Sequence, residues 1–250
     1  MAIDLHIVDC RDVMSAHGPY DMVLADPPYG VTSLGWDRPV EGWHDLAARS
    51  LKPTGSLWVF GSLRYLMAES RRFEQAGLRY AQDIVWRKRN GTGVAADRFK
   101  RVHELVVHFY RRDARWAHVH NDVQRVPAQT RNKTIRMRRS DHLRHWGKIG
   151  SADYVDDGAR IMKSVIEVPS VRRGLHPTQK PVELLSTLIR TSCPPGGVVG
   201  DFFAGSGAAG EAAILTGRAY VGCEIDPVMA EKARARLAAL LPFLQERGPE

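Results

Sequence analysis

The chain has 250 residues, 44% of them hydrophobic, and a formal net charge of +8. Its length suits one α/β domain with a sizeable insertion. No run approaches the roughly 18 apolar residues of a membrane-spanning helix, so none is expected.

The start, Met1-Ala2-Ile3-Asp4, has no basic region and no long apolar core, so it does not read as a signal peptide. Cys10, Cys193 and Cys223 each lie in or beside an apolar segment. They read as reduced core residues of a cytoplasmic protein. The ten histidines show no metal-ligand spacing with cysteine, His118-Val119-His120 reads as a chance pair, and no metal is expected.

Residues 3–9 read as a short strand. Asp21-Met22-Val23-Leu24-Ala25 is an apolar run that reads as a buried strand, and it ends in Asp26-Pro27-Pro28-Tyr29 and Gly30. Proline fixes φ and restricts the residue before it, so this turn holds one carboxylate and one ring in a set relation. That suits gripping a planar nitrogen base. The ring stacks, while the carboxylate and proline carbonyls accept bonds from an exocyclic amine. Such a turn can also be purely structural, and the second half of the chain decides between the two.

Residues 30–42 read as a loop able to close over a substrate. A helix is expected from Trp43 to Leu51, stopped by Lys52-Pro53-Thr54-Gly55. Ser56–Phe60 reads as a strand, Leu63–Gln75 as a helix ended by Gly77, and 80–87 and 103–110 as two further strands. Asn90-Gly91-Thr92-Gly93 marks the loop between them. Residues 111–148 carry eleven Lys or Arg against three acids, which equals the chain's whole charge excess. With Trp116, Trp146, Asn121, Gln124, Gln129 and Asn132 interspersed, this stretch suits a polyanion with readable edges.

A helix is expected after Pro181, to about Ser192. The strand at Val198-Val199-Gly200-Asp201 then runs into Phe202-Phe203-Ala204-Gly205-Ser206-Gly207, and a helix follows from Ala208 to Thr216. A strand at Ala219–Cys223 ends at Glu224, and a last helix runs from Pro227 to about Leu241. A strand, glycine turn, helix, strand and acid form a nucleotide-type unit, in which the acid lies where a ribose diol is held. Alternating strands and helices predict a doubly wound parallel-type sheet.

Together the tetrapeptide, the glycine turn and Glu224 resemble the amino-methyltransferases of DNA that use S-adenosylmethionine. The likeness is to the group in which the catalytic tetrapeptide precedes the cofactor turn. His176-Pro177-Thr178-Gln179-Lys180-Pro181, Trp86-Arg87-Lys88, His103-Glu104-Leu105-Val106-Val107 and Val8-Asp9-Cys10 match further segments of this group. The resemblance covers residues 1–111 and 165–240. It departs at Val8, where a glycine is usual, at Phe202 of Asp-Phe-Phe, where the family has proline, and at Ala208, where threonine is common.

The resemblance implies a Rossmann-like methyltransferase sheet in permuted motif order. Its catalytic half would be 1–111, its target-recognition insertion 112–164 and its cofactor half 165–250. Asp26, Pro27, Pro28 and Tyr29 would be catalytic. Asp9, Thr178, Lys180, Asp201, Phe203, Gly205, Gly207 and Glu224 would hold S-adenosylmethionine. The partner would be double-stranded DNA, a homodimer is left open, and a restriction-modification setting fits. An aspartate-led tetrapeptide goes most often with adenine N6, a serine-led one with cytosine N4. The competing readings are the N4 enzyme, a methyltransferase of RNA or protein glutamine, and an inactive DNA-binding module.

Overall fold

A computed structural model describes residues 2–92, 96–128, 135–136, 153–154, 157–240 and 242. In chain order the first elements are β1 (Ile3–Ile7), α1 (Cys10–Ala16), β2 (Tyr20–Ala25), α2 (Trp43–Ser50), β3 (Leu51–Gly61) and α3 (Leu63–Gln75). Then come β4 (Leu78–Thr92), β5 (Arg101–Arg111), β6 (Arg125–Pro127), β7 (Ile135–Arg136), β8 (Asp153–Tyr154), β9 (Ala159–Ile161) and β10 (Val165–Glu167). The chain closes with α4 (Val182–Ser192), β11 (Val198–Asp201), α5 (Ala208–Leu215), β12 (Ala219–Glu224) and α6 (Pro227–Ala238).

Two compact units result, Met1–Asp122 with Ser164–Glu250, and Val123–Lys163. The first holds an eight-stranded sheet in the order β1-β12-β11-β2-β3-β5-β4-β10. Strand β5 runs antiparallel to β3 and β4, and the other neighbours are parallel. In the second unit β6 pairs with β9 and β7 with β8, and Arg125 forks onto Asp157 at 2.5 and 2.9 Å.

The sheet is doubly wound because its central strands are apolar on both faces. On β2, Val23 and Ala25 pack with α1, α2 and α3, while Met22 and Leu24 pack with α4, α5 and α6. On β3, Leu57 and Val59 take the first side, and Trp58 and Phe60 the second. Each such Val, Leu, Met or Phe side chain, when fully buried, contributes about 1.5–3 kcal/mol. Two of the large rings are tied by their polar atoms: Trp58 Nε1 donates to Ser192 Oγ at 2.8 Å and Trp86 Nε1 to the Val168 carbonyl at 2.8 Å.

Helix limits follow local chemistry. Ser62 caps α3 by accepting from Tyr65 N at 3.2 Å, and Gly77 follows its end at φ +80°. Four elements depart from the sequence expectation. Strand β4 runs on through Asn90-Gly91-Thr92, expected as loop, and Thr92 pairs with Arg101 of β5. The first strand stops at Ile7, and Asp9 caps a helix, α1, whose Cys10, Val13 and Met14 are buried. Strand β3 begins at Leu51, ahead of Lys52-Pro53-Thr54-Gly55, because Leu51 pairs with Tyr20 and the register then shifts before Met22. The short β10 extends the sheet edge along β4.

Candidate active site

In the register of the sheet, Leu24 lies beside Asp201, and Asp201 beside Gly222. The carboxyl ends of β2, β11 and β12 therefore stand side by side, where the strand order reverses. That is where open α/β sheets bind ligands. The loops leaving these strands enclose a cavity of about 560 Å³. Every expected site residue lines it except Gly207. Gly207, at φ +71°, starts α5 instead, and a Cβ there would stand 3.1 Å from the Ala233 Cβ.

Asp26 leaves β2 and is held from two sides. Tyr29 donates its hydroxyl to Asp26 Oδ1 at 2.7 Å, and Lys180 donates to Oδ2 at 2.5 Å. Burial pushes the Tyr29 hydroxyl well above its ordinary range, and the Asp26 charge adds to this, so it stays a donor. The Tyr29 ring leans on Tyr65 at 5.2 Å between centroids. The loop beyond is pinned by Asp37, which accepts from the amides of Gly30, Val31 and Thr32 at 2.8, 2.9 and 2.7 Å. Burial works against the Asp37 charge, but the Thr32 hydroxyl and these amides hold its carboxyl below the usual range. Sequence reading missed Asp37, which looks like any loop acid until the chain folds back on it.

Lys180 is buried, at 7% exposure, and its second acid is Glu104 at 3.6 Å. Burial works against the ammonium, yet Asp26 and Glu104 outweigh it and hold the amine above its ordinary value. Glu104 is in turn paired with Lys88. Burial raises the Glu104 carboxyl, but the two lysines win and keep it below its usual range. The structure thus brings Lys180 to the tetrapeptide, and Glu104 and Lys88 with it.

Across the cavity, Glu224 Oε2 accepts from Gly205 N at 2.8 Å and Oε1 from Asp226 N at 3.0 Å. Gly205 sits at φ +49°, and a Cβ on it would meet nothing nearer than the Phe203 carbonyl at 4.0 Å. The turn is thus an open cradle beside a carboxylate, with Phe203 on its wall. Phe202, in the place of the family's proline, is buried edge-on against Tyr20 at 5.3 Å. Asp9 is gripped by Arg11 at 2.8 Å through both oxygens, and this ion pair pulls its carboxyl down to about 2. Thr178 Oγ1 lies 3.0 Å from His176 Nδ1.

Asp201 is buried beneath the turn. It accepts from Tyr220 Oη at 3.0 Å and from Phe203 N at 3.3 Å. Burial pushes its carboxyl up to about 7. An acid with a folded value above its unfolded one holds an extra proton in the folded state between the two values. Stability from this group therefore falls as pH rises from about 4 to about 7. Thermal melts across that window should show a smaller decline for Asp201→Asn than for the parent, and equal declines would refute this reading.

A sequence profile of the N6/N4 DNA methylase family matches residues 20–235. The type II methyltransferase M2.DpnII of Streptococcus pneumoniae is 28% identical, over 88% of this chain and 82% of its own. Among solved structures, the M1.HpyAVI–SAM complex superposes with a TM-score of 0.63 at 21% identity, over 94% of this chain and 100% of that one. The cytosine-N4-specific PvuII DNA methyltransferase superposes with a TM-score of 0.65 at 14% identity, over 98% and 93%. These two share the doubly wound fold described above.

Proposed function

The chain belongs to the N6/N4 DNA methylase family, and on that footing we propose that it methylates the N6 amine of an adenine flipped out of duplex DNA, with S-adenosylmethionine as donor. The observation that carries this reading is Asp26, ionically held at the cavity wall, facing the glycine turn and Glu224 across one space. The residues fit the donor, because the bare turn at Gly205 leaves room for a ligand beside an acid suited to a diol. Bound S-adenosylmethionine supplies a methyl on a sulfonium, a good electrophile.

The amine of adenine is a poor nucleophile, because its lone pair is delocalised into the ring. Asp26 accepts one of its N–H bonds and the Pro27 carbonyl the other. This draws the nitrogen toward tetrahedral geometry and frees the lone pair, while the site holds the reactants in line. Tyr29 stacks on the base. Flipping costs a few kcal/mol, which stacking and hydrogen bonds in the pocket offset. Phe203 and Gly205 shape the methionine end, Thr178 lies near its carboxylate, Glu224 takes the ribose hydroxyls, and Asp9 faces the adenine end.

Nucleoside analysis of treated DNA tests the reading. N6-methyladenine is expected. N4-methylcytosine alone would overturn the base assignment, and no methylated base at all would overturn the enzyme. Tyr29→Ala should weaken catalysis by roughly 1–3 kcal/mol through lost stacking. Tyr29→Phe keeps the ring, and Lys180 still holds Asp26, so its loss in kcat/KM should be much smaller. Equal losses in the two variants would remove stacking as the cause.

Residues 112–164 form the recognition insertion in this reading, between the catalytic half 1–111 and the cofactor half 165–250. Support comes from the basic stretch 111–148, which carries the charge excess. Arg136, Arg138 and Arg139 are its densest cluster; beyond the backbone of Arg136 they lie outside the described residues. Every phosphate that the protein neutralises releases counterions, so log affinity falls steeply with log salt. Replacing all three with alanine should lower that slope by about one unit for each phosphate left unneutralised. A slope and a sequence preference both unchanged would move recognition to loop 30–42 and the β4–β5 segment 89–101.

A further inference from the structure

Three family segments touch none of the reacting atoms in the proposed chemistry: Trp86-Arg87-Lys88, His103-Glu104, and Lys180. In the structure they converge. Strands β4 and β5 set Trp86 opposite Glu104, and Lys88 lies over the Trp86 ring at 4.4 Å while pairing with Glu104. Glu104 faces Lys180 at 3.6 Å, and Lys180 reaches Asp26 at 2.5 Å. Four side chains from four segments form a line of alternating charge that sums to zero and ends on the tetrapeptide. Buried charges persist only when paired in this way.

An ammonium has three donors. Here three acceptors surround it: Asp26 Oδ2 at 2.5 Å, the Thr178 carbonyl at 3.4 Å and Glu104 Oε2 at 3.6 Å. The Phe60 ring covers it at 5.1 Å. The shortest of these contacts is to Asp26, the Thr178 carbonyl takes a second, longer bond, and Glu104 adds an ion pair beyond hydrogen-bond distance, so the ammonium is directed first at the tetrapeptide. We propose that Lys180, held by Glu104 and Lys88, is the positioning cation of Asp26. It fixes Oδ2 while Tyr29 fixes Oδ1, so the carboxylate plane is set. Each oxygen keeps a free lone pair for the target amine. This inference rests on the methyl-transfer reading above.

The test compares Lys180→Met, Lys180→Arg and Glu104→Gln with the parent. Calorimetry gives the Kd for S-adenosylmethionine, and steady-state methylation gives kcat and KM. Lys180→Met should lower kcat by roughly 10²-fold, the cost of a misplaced reacting group, with the Kd for S-adenosylmethionine unchanged within roughly twofold. Lys180→Arg keeps the charge and should recover part of kcat, and Glu104→Gln should show a smaller loss in the same direction. A Kd weakened tenfold or more with kcat near the parent's would assign Lys180 to the cofactor and overturn the proposal, as would an unchanged kcat. Should Lys180→Met fail to fold, a parent-like kcat in both other variants overturns it. If the parent itself yields no methylated base, the failure is that of the methyl-transfer reading.

Discussion

Asp26→Ala is expected to lower methyl transfer by about 10²–10³-fold or more, in the range found when a single preorganised group is removed from an active site. The carboxylate is the group aimed at the amine whose lone pair must be freed. Its loss therefore acts on the reaction and not on the donor. Binding of S-adenosylmethionine, measured by calorimetry, should stay close to the parent's. The structure adds a complication, because alanine also strips Lys180 of its nearest acid. Asp26→Asn is the cleaner companion. Its single amide oxygen must serve Lys180, which turns the NH2 toward Tyr29 and the incoming amine. The donor then meets a donor, and transfer should fall although the shape is kept. Near-normal turnover in the alanine variant would falsify the role of Asp26.

Why is so much of this cavity legible in the sequence, and so little of its wiring? The three strands that build it announce themselves. Met22, Val23 and Leu24 are apolar without alternation, as a strand covered on both faces must be. Asp26 and Glu224 stand within one residue of strand ends and the glycine turn follows directly on β11, so their placement follows from the strands alone. Helix α1 has a signal as well, in Asp9 followed by Cys10, Val13 and Met14 at helical spacing, although the acid reads equally as a strand end. Other features depend on distant partners. Pro53 and Gly55 read as a stop, yet β3 runs through them because β2 lies alongside. Gly207 reads as a cofactor contact, but its missing side chain makes room for α6.

The charge line is hidden for a similar reason. Lys88, Glu104 and Lys180 sit on three segments far apart in sequence, and each alone resembles a solvated charge. Only the pairing of β4 with β5, and the approach of the segment before α4, bring them to Asp26. Asp37 is a smaller case of the same kind, since its three amide partners exist only once the loop has turned back.

Glu224→Ala should weaken S-adenosylmethionine binding more than any other single change on the cofactor side. Charge-assisted hydrogen bonds contribute about 1.5–3 kcal/mol each, so losing one carboxylate bond to the ribose raises Kd by about 10- to 150-fold. The structure gives a reason to expect the upper part of that range. The same carboxylate ties the Gly205 amide to the Asp226 amide, and so holds the glycine turn against the start of α6. Alanine therefore removes the ligand's acceptor and loosens the cradle together. Glu224→Gln separates the two effects. Its one remaining oxygen can hold either Gly205 or Asp226, and its NH2 faces the other amide donor to donor. The glutamine variant should bind more weakly than the parent and more tightly than the alanine variant. The Asp26→Asn variant, altered on the far side of the same cavity, should titrate like the parent. Calorimetry that finds unchanged affinity in Glu224→Ala would take Glu224 out of the cofactor site and leave it as the brace of the turn alone.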